Sequence, residues 1–201
     1  MLSSVKADLE KDTPIRELKL TTGEARVIAN YQFLSAKPLL IVVNIGEDQL
    51  PQAVSLEAEL NSRYSRPKCR IITLCGQLEM ELAQLDNDAA EGFRAEFGIK
   101  ESGLDRTIKL SYELLGLISF FTTASGEVKA WSIQSGTTAL KAAGKIHSDM
   151  ERGFIRAEVI SYGDSVKCGS VAEARQKGFL RLEGKDYIVQ DGDVITFLFN
   201  V

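Results

Sequence analysis

The residues best placed to do chemistry are Asn44 and Glu47, in the run Asn44-Ile45-Gly46-Glu47. The amide of Asn44 offers a donor and an acceptor side by side, and the carboxylate of Glu47 only accepts. Held rigidly at the end of a strand, the two could read the edge of a base, which needs a donor and an acceptor at fixed spacing. The same tetrapeptide also suits a plain strand-end turn, where Asn, Gly and Asp are the expected residue types. A second loop, Cys75-Gly76-Gln77, follows another apolar run. It reads as a strand-to-helix turn or as a place where a backbone N–H meets a ligand.

His147 invites a general-base role with Asp149 as its orienting carboxylate. That role needs a nucleophile in reach and a formed pocket, and the sequence offers neither, so His147 reads as a hydrogen-bonded turn residue that fixes its loop. Cys69, Cys75 and Cys168 are widely spaced and form no C-x-x-C pair. This speaks against a zinc site and for reduced, buried thiols. Lys141, Lys145, Arg152 and Arg156 make one candidate basic patch, and Arg175, Lys177, Arg181 and Lys185 another. Glu151, Glu158, Glu173 and Glu183 are interleaved with them, so a solvated mixed face competes with a docking surface. Phe120, Phe121 and Trp131 could stack on bases, but aromatics alternating along a strand more often build a core.

The elements that must hold these residues follow from composition and periodicity. The chain has 201 residues, 24 Lys plus Arg against 28 Asp plus Glu, a net charge of −4 and 44% hydrophobic residues. Such a balance suits a globular protein and excludes gripping duplex DNA by bulk charge alone; a local basic face could still meet RNA or a ribosome. No apolar run reaches the ~18 residues of a membrane helix, and residues 1–12 do not read as a signal peptide. A cytoplasmic protein is expected. Thr21-Thr22-Gly23-Glu24 is a capping box, opening a helix through Ala25, Ile28, Tyr31 and Leu34 that Lys37-Pro38 stops. Leu39 to Val43 predicts a strand buried on both sides. Ala53, Leu56, Leu60 and Tyr64 mark a helix, and Cys69 to Cys75 a second buried strand. Helices follow from Leu78, over 87–97 and over 103–116. The pattern changes at Leu117: a hairpin around Ser125-Gly126, a helix from Thr138 to Lys145, a strand from Phe154 to Ile160, and a helix from Val171 closed by Gly178. Strands at 180–182, 187–189 and 194–199 end the chain. The fold class is α+β: part of an α/β sheet with helices, then a small β-grasp domain.

Several stretches resemble one family. They are Phe33 to Leu40 leading into the N-x-x-E loop, Leu114 to Thr122, Glu127 to Trp131, Ala142 to Asp149, Gly153 to Ile160, and the run from Arg181 to Val201. Through them the chain is similar to the YchF, or Obg-like ATPase, family of translation-factor-type GTPases. The resemblance implies three parts: residues 1–35 as a helical arm like the family's coiled-coil insertion, 36–116 as the last portion of a G domain, and 117–201 as a TGS domain of β-grasp type. It implies base contacts from Asn44, Ile45 and Glu47 with the backbone at Cys75 and Gly76. Here N-x-x-E goes with relaxed or adenine-favouring choice, and Ile45 stands where a lysine is usual. Ribosome or RNA contact is implied for Lys141, Lys145, Arg152, Arg156 and Lys185. Intact members use ATP or GTP with Mg. This sequence contains no G-x-x-x-x-G-K-[ST] and no D-x-x-G, so the cradle for phosphates is missing. Alone, the chain is expected to carry no cofactor, to be catalytically inactive and to bind a purine nucleotide weakly. The competing reading is a stand-alone TGS-type module that binds RNA, ribosome or protein without any nucleotide. A half-sheet would also leave an open strand edge beside Val43, expected to favour self-association.

Overall fold

The structure, a computed structural model, describes residues 2–124 and 127–200. The expected turn at Ser125-Gly126 and the final Val201 of the C-terminal run lie outside the described residues. The chain divides into two units, Met1–Leu114 and Leu115–Val201.

Unit 1 opens with two short helices, α1 (Leu2–Leu9) and α2 (Thr22–Ala29). The capping box at α2 is formed: Glu24 N–H donates to Thr21 Oγ1 at 3.3 Å, and Thr21 N–H donates to the Glu24 carboxylate at 2.9 Å. The helix ends at Ala29 and does not run on to Leu34. Gln32 takes a left-handed φ of 54°, and its side-chain amide donates to the Ala29 carbonyl at 2.8 Å. Tyr31 and Leu34 are therefore exposed, while Val5, Ile15 and Ile28 form a small core.

Strands β1 (Leu39–Asn44) and β2 (Cys69–Leu74) are parallel, with Asn44 opposite Leu74. A 3-10 turn (Glu47–Gln52) and α3 (Ala53–Arg63) connect them, as parallel pairing requires a crossover. Helices α4 (Gly76–Leu82), α5 (Asn87–Glu96) and α6 (Gly103–Leu115) follow. Ile45, Cys75, Leu78, Leu82 and Ala90 make the second core of this unit. β2 is buried as expected, but β1 is not: Leu39, Ile41 and Val42 remain 38–44% exposed. A strand is buried on both sides only where elements flank it fully, and among the described residues the sheet is just β1 and β2.

In unit 2, β3 (Leu117–Ala124) and β4 (Glu127–Gln134) form the hairpin. Then come α7 (Ala139–Ile146), α8 (Ser148–Arg152), β5 (Phe154–Ser161), α9 (Tyr162–Cys168), α10 (Val171–Gln176), β6 (Arg181–Glu183) and β7 (Asp193–Phe199). The sheet order is β4-β3-β7-β5-β6, with β7 parallel to β3 and antiparallel to β5. This is a β-grasp arrangement with α7 laid on one face. Ala139, Ala142 and Ala143 of α7 are fully buried against Phe120, Val159 and Ile195; their small side chains let the helix lie close to the sheet. Phe120 meets Phe197 edge-on at 6.1 Å, and Trp131 Nε1–H donates to Thr122 Oγ1 at 3.0 Å. Phe121 packs on Ile160, Cys168, Ala174 and Val194. The aromatics thus build cores.

Three sequence expectations need correction or addition here. Tyr187-Ile188-Val189 is no strand but a single bridge, Ile188 to Thr138. Its backbone serves the start of α7 instead: Ala139 N–H donates to the Tyr187 carbonyl at 2.8 Å, and Val189 N–H to the Thr137 carbonyl at 3.1 Å. The short helices α8 and α9 were not expected; each has its own cap. His147 caps α8, its Nδ1 accepting from Asp149 N–H at 3.2 Å, which is the loop-fixing role. All three cysteines are free and buried. Among the described residues no helix is long and apolar enough to cross a membrane.

The loop before β7 closes on Asp193, which is 2% exposed. Its carboxylate accepts from Tyr187 O–H at 2.8 Å and from Gln190 N–H at 2.9 Å, and Arg181 donates to the Tyr187 oxygen at 3.1 Å. Burial, and then the hydrogen bond and charge of Asp193, push the Tyr187 phenol above its ordinary pKa, which is about 10. The folded state therefore holds this proton more tightly than the unfolded chain. Its contribution is complete below the unfolded pKa and is lost as pH rises through the raised one. Thermal unfolding should show unit 2 losing stability above about pH 10, and Tyr187→Phe should make that alkaline loss shallower.

Candidate functional site

The two loops singled out in the sequence meet at the C-terminal ends of β1 and β2, where ligands of open α/β sheets bind. Asn44 Oδ1 accepts the backbone N–H of Gly76 at 2.9 Å. This bond ties the end of β1 to the first turn of α4. A Cβ at position 76 would lie 3.2 Å from the same oxygen, so glycine gives the amide its closest approach. The acceptor of Asn44 is thus used internally, and its Nδ2 is the group left to face a ligand. The Gly76 N–H, expected to meet a base, is committed to Asn44.

The rest of the first loop is equally tied down. Ile45 is buried, and its N–H donates to the Leu74 carbonyl at 2.9 Å. Its backbone therefore offers a ligand the carbonyl and not the donor. Gly46 N–H donates to Gln49 Oε1 at 3.0 Å. Glu47 begins the 3-10 turn with an exposed side chain. Cys75 is buried, so only its backbone can face a ligand. Gln77 donates forward along α4 to the Glu81 carboxylate at 2.7 Å. Asn44, Ile45, Cys75 and Gly76 are accordingly brought together, and Glu47 follows in the same loop with its carboxylate exposed.

Behind these loops β2 is braced by side chains that the sequence reading missed. Asn61 of α3 exchanges two bonds with Ile71: its Oδ1 accepts from Ile71 N–H at 3.2 Å, and its Nδ2 donates to the Ile71 carbonyl at 2.7 Å. One turn earlier, Glu57 accepts from Thr73 N–H at 2.8 Å and pairs with Arg106 of α6. Arg106 also donates to the Thr73 carbonyl at 3.4 Å. Thr73 is two residues from Cys75, so this brace sets the position of the second loop. The polar pair Glu57 and Asn61, four apart beside the apolar positions of α3, was the available signal. A cavity of about 320 Å³ lies beside it, lined by Ile45, Leu50, Val54, Leu78, Phe97 and Ile99 among others.

The basic candidates do not form one patch. Lys141 and Lys145 lie on α7, Arg152 ends α8, and Leu140 N–H donates to the Lys185 carbonyl at 3.2 Å. Those four belong to the helix side of the sheet. Arg156 does not: its strand neighbours Ala157 and Val159 pack on α7, so alternation turns Arg156 to the opposite face. The interleaved acids are engaged, with Lys141 on Glu151 at 2.6 Å, Arg152 on Asp149, and Arg175 on Glu158 at 2.5 Å. Arg152, first, together with the charge of His147 holds the Asp149 carboxyl below its ordinary range. Among the described residues Lys145, Arg156 and Lys185 form no ion pair.

The chain is similar to several known proteins. Residues 117–200 match the family model YchF-GTPase_C, described as "Protein of unknown function (DUF933)". The ribosome-binding ATPase YchF of Bacillus subtilis is 42% identical over 203 residues, covering 100% of this chain and 56% of that protein. Its counterpart in Escherichia coli O157:H7 is 40% identical over 193 residues, covering 96% and 53%. The structure of the Schizosaccharomyces pombe YchF GTPase superposes with a TM-score of 0.83 at 28% identity, covering 98% of this chain and 53% of that one. A GTP-binding protein from Pyrococcus horikoshii shares the fold with a TM-score of 0.54 at 19% identity, covering 97% of this chain and 55% of that one. The chain spans about half the length of the relatives it matches.

The Asn44–Gly76 bond makes a direct prediction. Asn44→Ala removes a net interaction of about 1 kcal/mol. Amide exchange at Gly76 should accelerate about fivefold, while exchange at Ile71, held by Asn61, should not change.

Proposed function

The chain belongs to the YchF family, matching its members over about half of their length, and on that premise we propose that it supplies the base-recognition loops and the ribosome-docking domain of a nucleotide-dependent factor. In this reading residues 1–35 are a helical arm, 36–116 the last part of a G domain and 117–201 a TGS domain. Asn44 Nδ2 donates to a purine, Glu47 accepts from it, and the backbones of Ile45, Cys75 and Gly76 shape the slot. The observation that carries the reading is the bond from Gly76 N–H to Asn44 Oδ1. It fixes both loops before any ligand arrives, and preorganisation of that kind is what recognition by few contacts needs. In this reading no residue of this chain is assigned to magnesium or phosphate, and the base is that of ATP or GTP.

Base contacts without phosphate contacts give weak binding, about millimolar or roughly −4 kcal/mol. Titration of the chain with adenosine, ATP, GTP and tripolyphosphate, followed by amide chemical shifts, tests this. Adenosine and ATP should bind alike, shift residues 44–47 and 75–77, and lose their effect in Asn44→Ala; tripolyphosphate should do nothing. Micromolar ATP binding, or no shifts in either loop, would overturn the proposal.

The curated relatives are named ribosome-binding, and the docking role is placed on Lys141, Lys145, Arg152 and Lys185 of the α7 side, with Arg156 on the other face. A second reading, an interaction module that acts without any nucleotide, draws on the ribosome-binding names of the same relatives. Cosedimentation with ribosomes separates the two. Both expect binding that weakens with salt, since each phosphate contact contributes a slope of about −0.7 to −0.9 in log K against log salt. Lys145→Glu with Lys185→Glu should lower it. Only the first reading expects millimolar ATP to change the bound fraction.

A further inference from the structure

Behind the strand-end loops, unit 1 holds a cavity of about 320 Å³ that the proposed function does not use. Its floor belongs to the second core of the unit, where Ile45, Cys75 and Leu78 are 4–6% exposed. Leu50, Ala53 and Ile99 form the sides and are half-buried. Val54 and Phe97 stand exposed at the mouth. The Phe97 ring is held by stacking on Phe93, with 6.4 Å between centroids. No residue of β1 belongs to the wall, and the cavity reaches the edge of β2 that Thr73 and Arg106 close. The charged residues of the wall balance, Glu79 and Glu101 against Lys100 and Arg106. Two of them are engaged: Arg106 pairs with Glu57, and Glu79 accepts from Gly103 N–H at 2.9 Å.

We propose that this cavity binds a small uncharged aromatic molecule of two fused rings, and that its occupant stiffens the two loops in front of it. The size fits. An apolar cavity of about 150 Å³ takes one benzene ring, and this one is about twice as large, at the lower end of small-molecule pockets. The chemistry of the wall fits as well. Aliphatic side chains with a fixed ring at the mouth favour a flat apolar body. A ligand with a net charge would lose its hydration to a wall whose own charges already balance. The coupling follows from chain order: Ile45 comes directly after Asn44, and Cys75 directly before Gly76. These floor residues are thus the neighbours of the two partners in the bond from Gly76 N–H to Asn44 Oδ1. A ring packed on both restricts both, and the bond between the loops opens less often. The site does not depend on nucleotide binding; the bond serves only as its readout.

Titration of the full chain with indole tests this, followed by methyl chemical shifts and by amide exchange at Gly76. Indole should bind with a Kd of about 100 µM and shift the methyls of Ile45, Leu50, Leu78 and Ile99. The methyls of Ile15, in the other core of the unit, should not move. Exchange at Gly76 should slow at least about twofold. Indole-3-acetate and tryptamine, which carry one charge of either sign, should bind at least about tenfold more weakly. Ala53→Leu puts a side chain into the cavity; it should raise the Kd for indole at least about tenfold without lowering the unfolding midpoint. Indole should also slow alkylation of Cys75 but not of Cys69 or Cys168, neither of which lines the cavity. No shift of those methyls at millimolar indole overturns the site. So does binding indifferent to Ala53→Leu, or tighter binding of either charged analogue. Binding that leaves exchange at Gly76 unchanged overturns the coupling. Should Ala53→Leu fail to fold, the alkylation pattern decides in its place, and protection that does not single out Cys75 overturns the site.

Discussion

A strand with one strand neighbour has half of its backbone groups facing nothing, and in a partly dry environment each must find a partner. In unit 1 the partners of β2 are side chains. Asn61 presents an amide that imitates a neighbouring strand, and Glu57 and Arg106 divide the groups of Thr73 between them. Without them β2 could not be buried at Ile71, Ile72 and Thr73. With it fixed, the turn at Cys75-Gly76 has one position, and Asn44 can bond Gly76 across the strand ends. The candidate site thus rests on three polar residues that never face it. Glu57 and Arg106 are a partly buried pair, and removing one partner of such a pair costs more than the pair contributes.

Unit 2 solves the same problem with strands. β7 enters between β3 and β5, so the last strand in sequence is central in space. Its residues Ile195 and Phe197 meet Phe120 and the alanine face of α7. Gly153 is needed where β5 begins beside the end of β7, because any Cβ there would collide with the Asn200 carbonyl. Among the described residues the two units reach stability by unlike means: an apolar core under a five-stranded sheet in one, and side chains bonded to the outer edge of β2 in the other.

What was legible in the sequence was what depends on local order. The capping box at Thr21, the crossover from β1 through α3 to β2, and the hairpin, helix and strands of the β-grasp all carry their own period or cap. The length of α2 was not legible, because Gln32 ends it by adopting a left-handed φ that its residue type does not announce. The exposure of β1 was not legible either: five apolar residues look alike whether a neighbour covers them or not. In the candidate site, both loops could be found, but not that Asn44 and Gly76 spend a donor and an acceptor on each other. Glu57 and Arg106 lie 49 residues apart in sequence, a separation over which no pattern speaks. Asp193 and Tyr187 are nearer, yet the strand expected at 187–189 hid their bond.

The parallel pairing of β3 with β7 has a mechanical meaning. These are the first and last strands of unit 2, and they lie side by side running the same way. A force drawing the two ends of the unit apart would load the hydrogen bonds between them in shear, all together, where a hairpin would open one bond at a time. Resistance to pulling is governed by the unfolding rate more than by equilibrium stability. A unit so tied can therefore yield slowly under tension even if it is only modestly stable at rest.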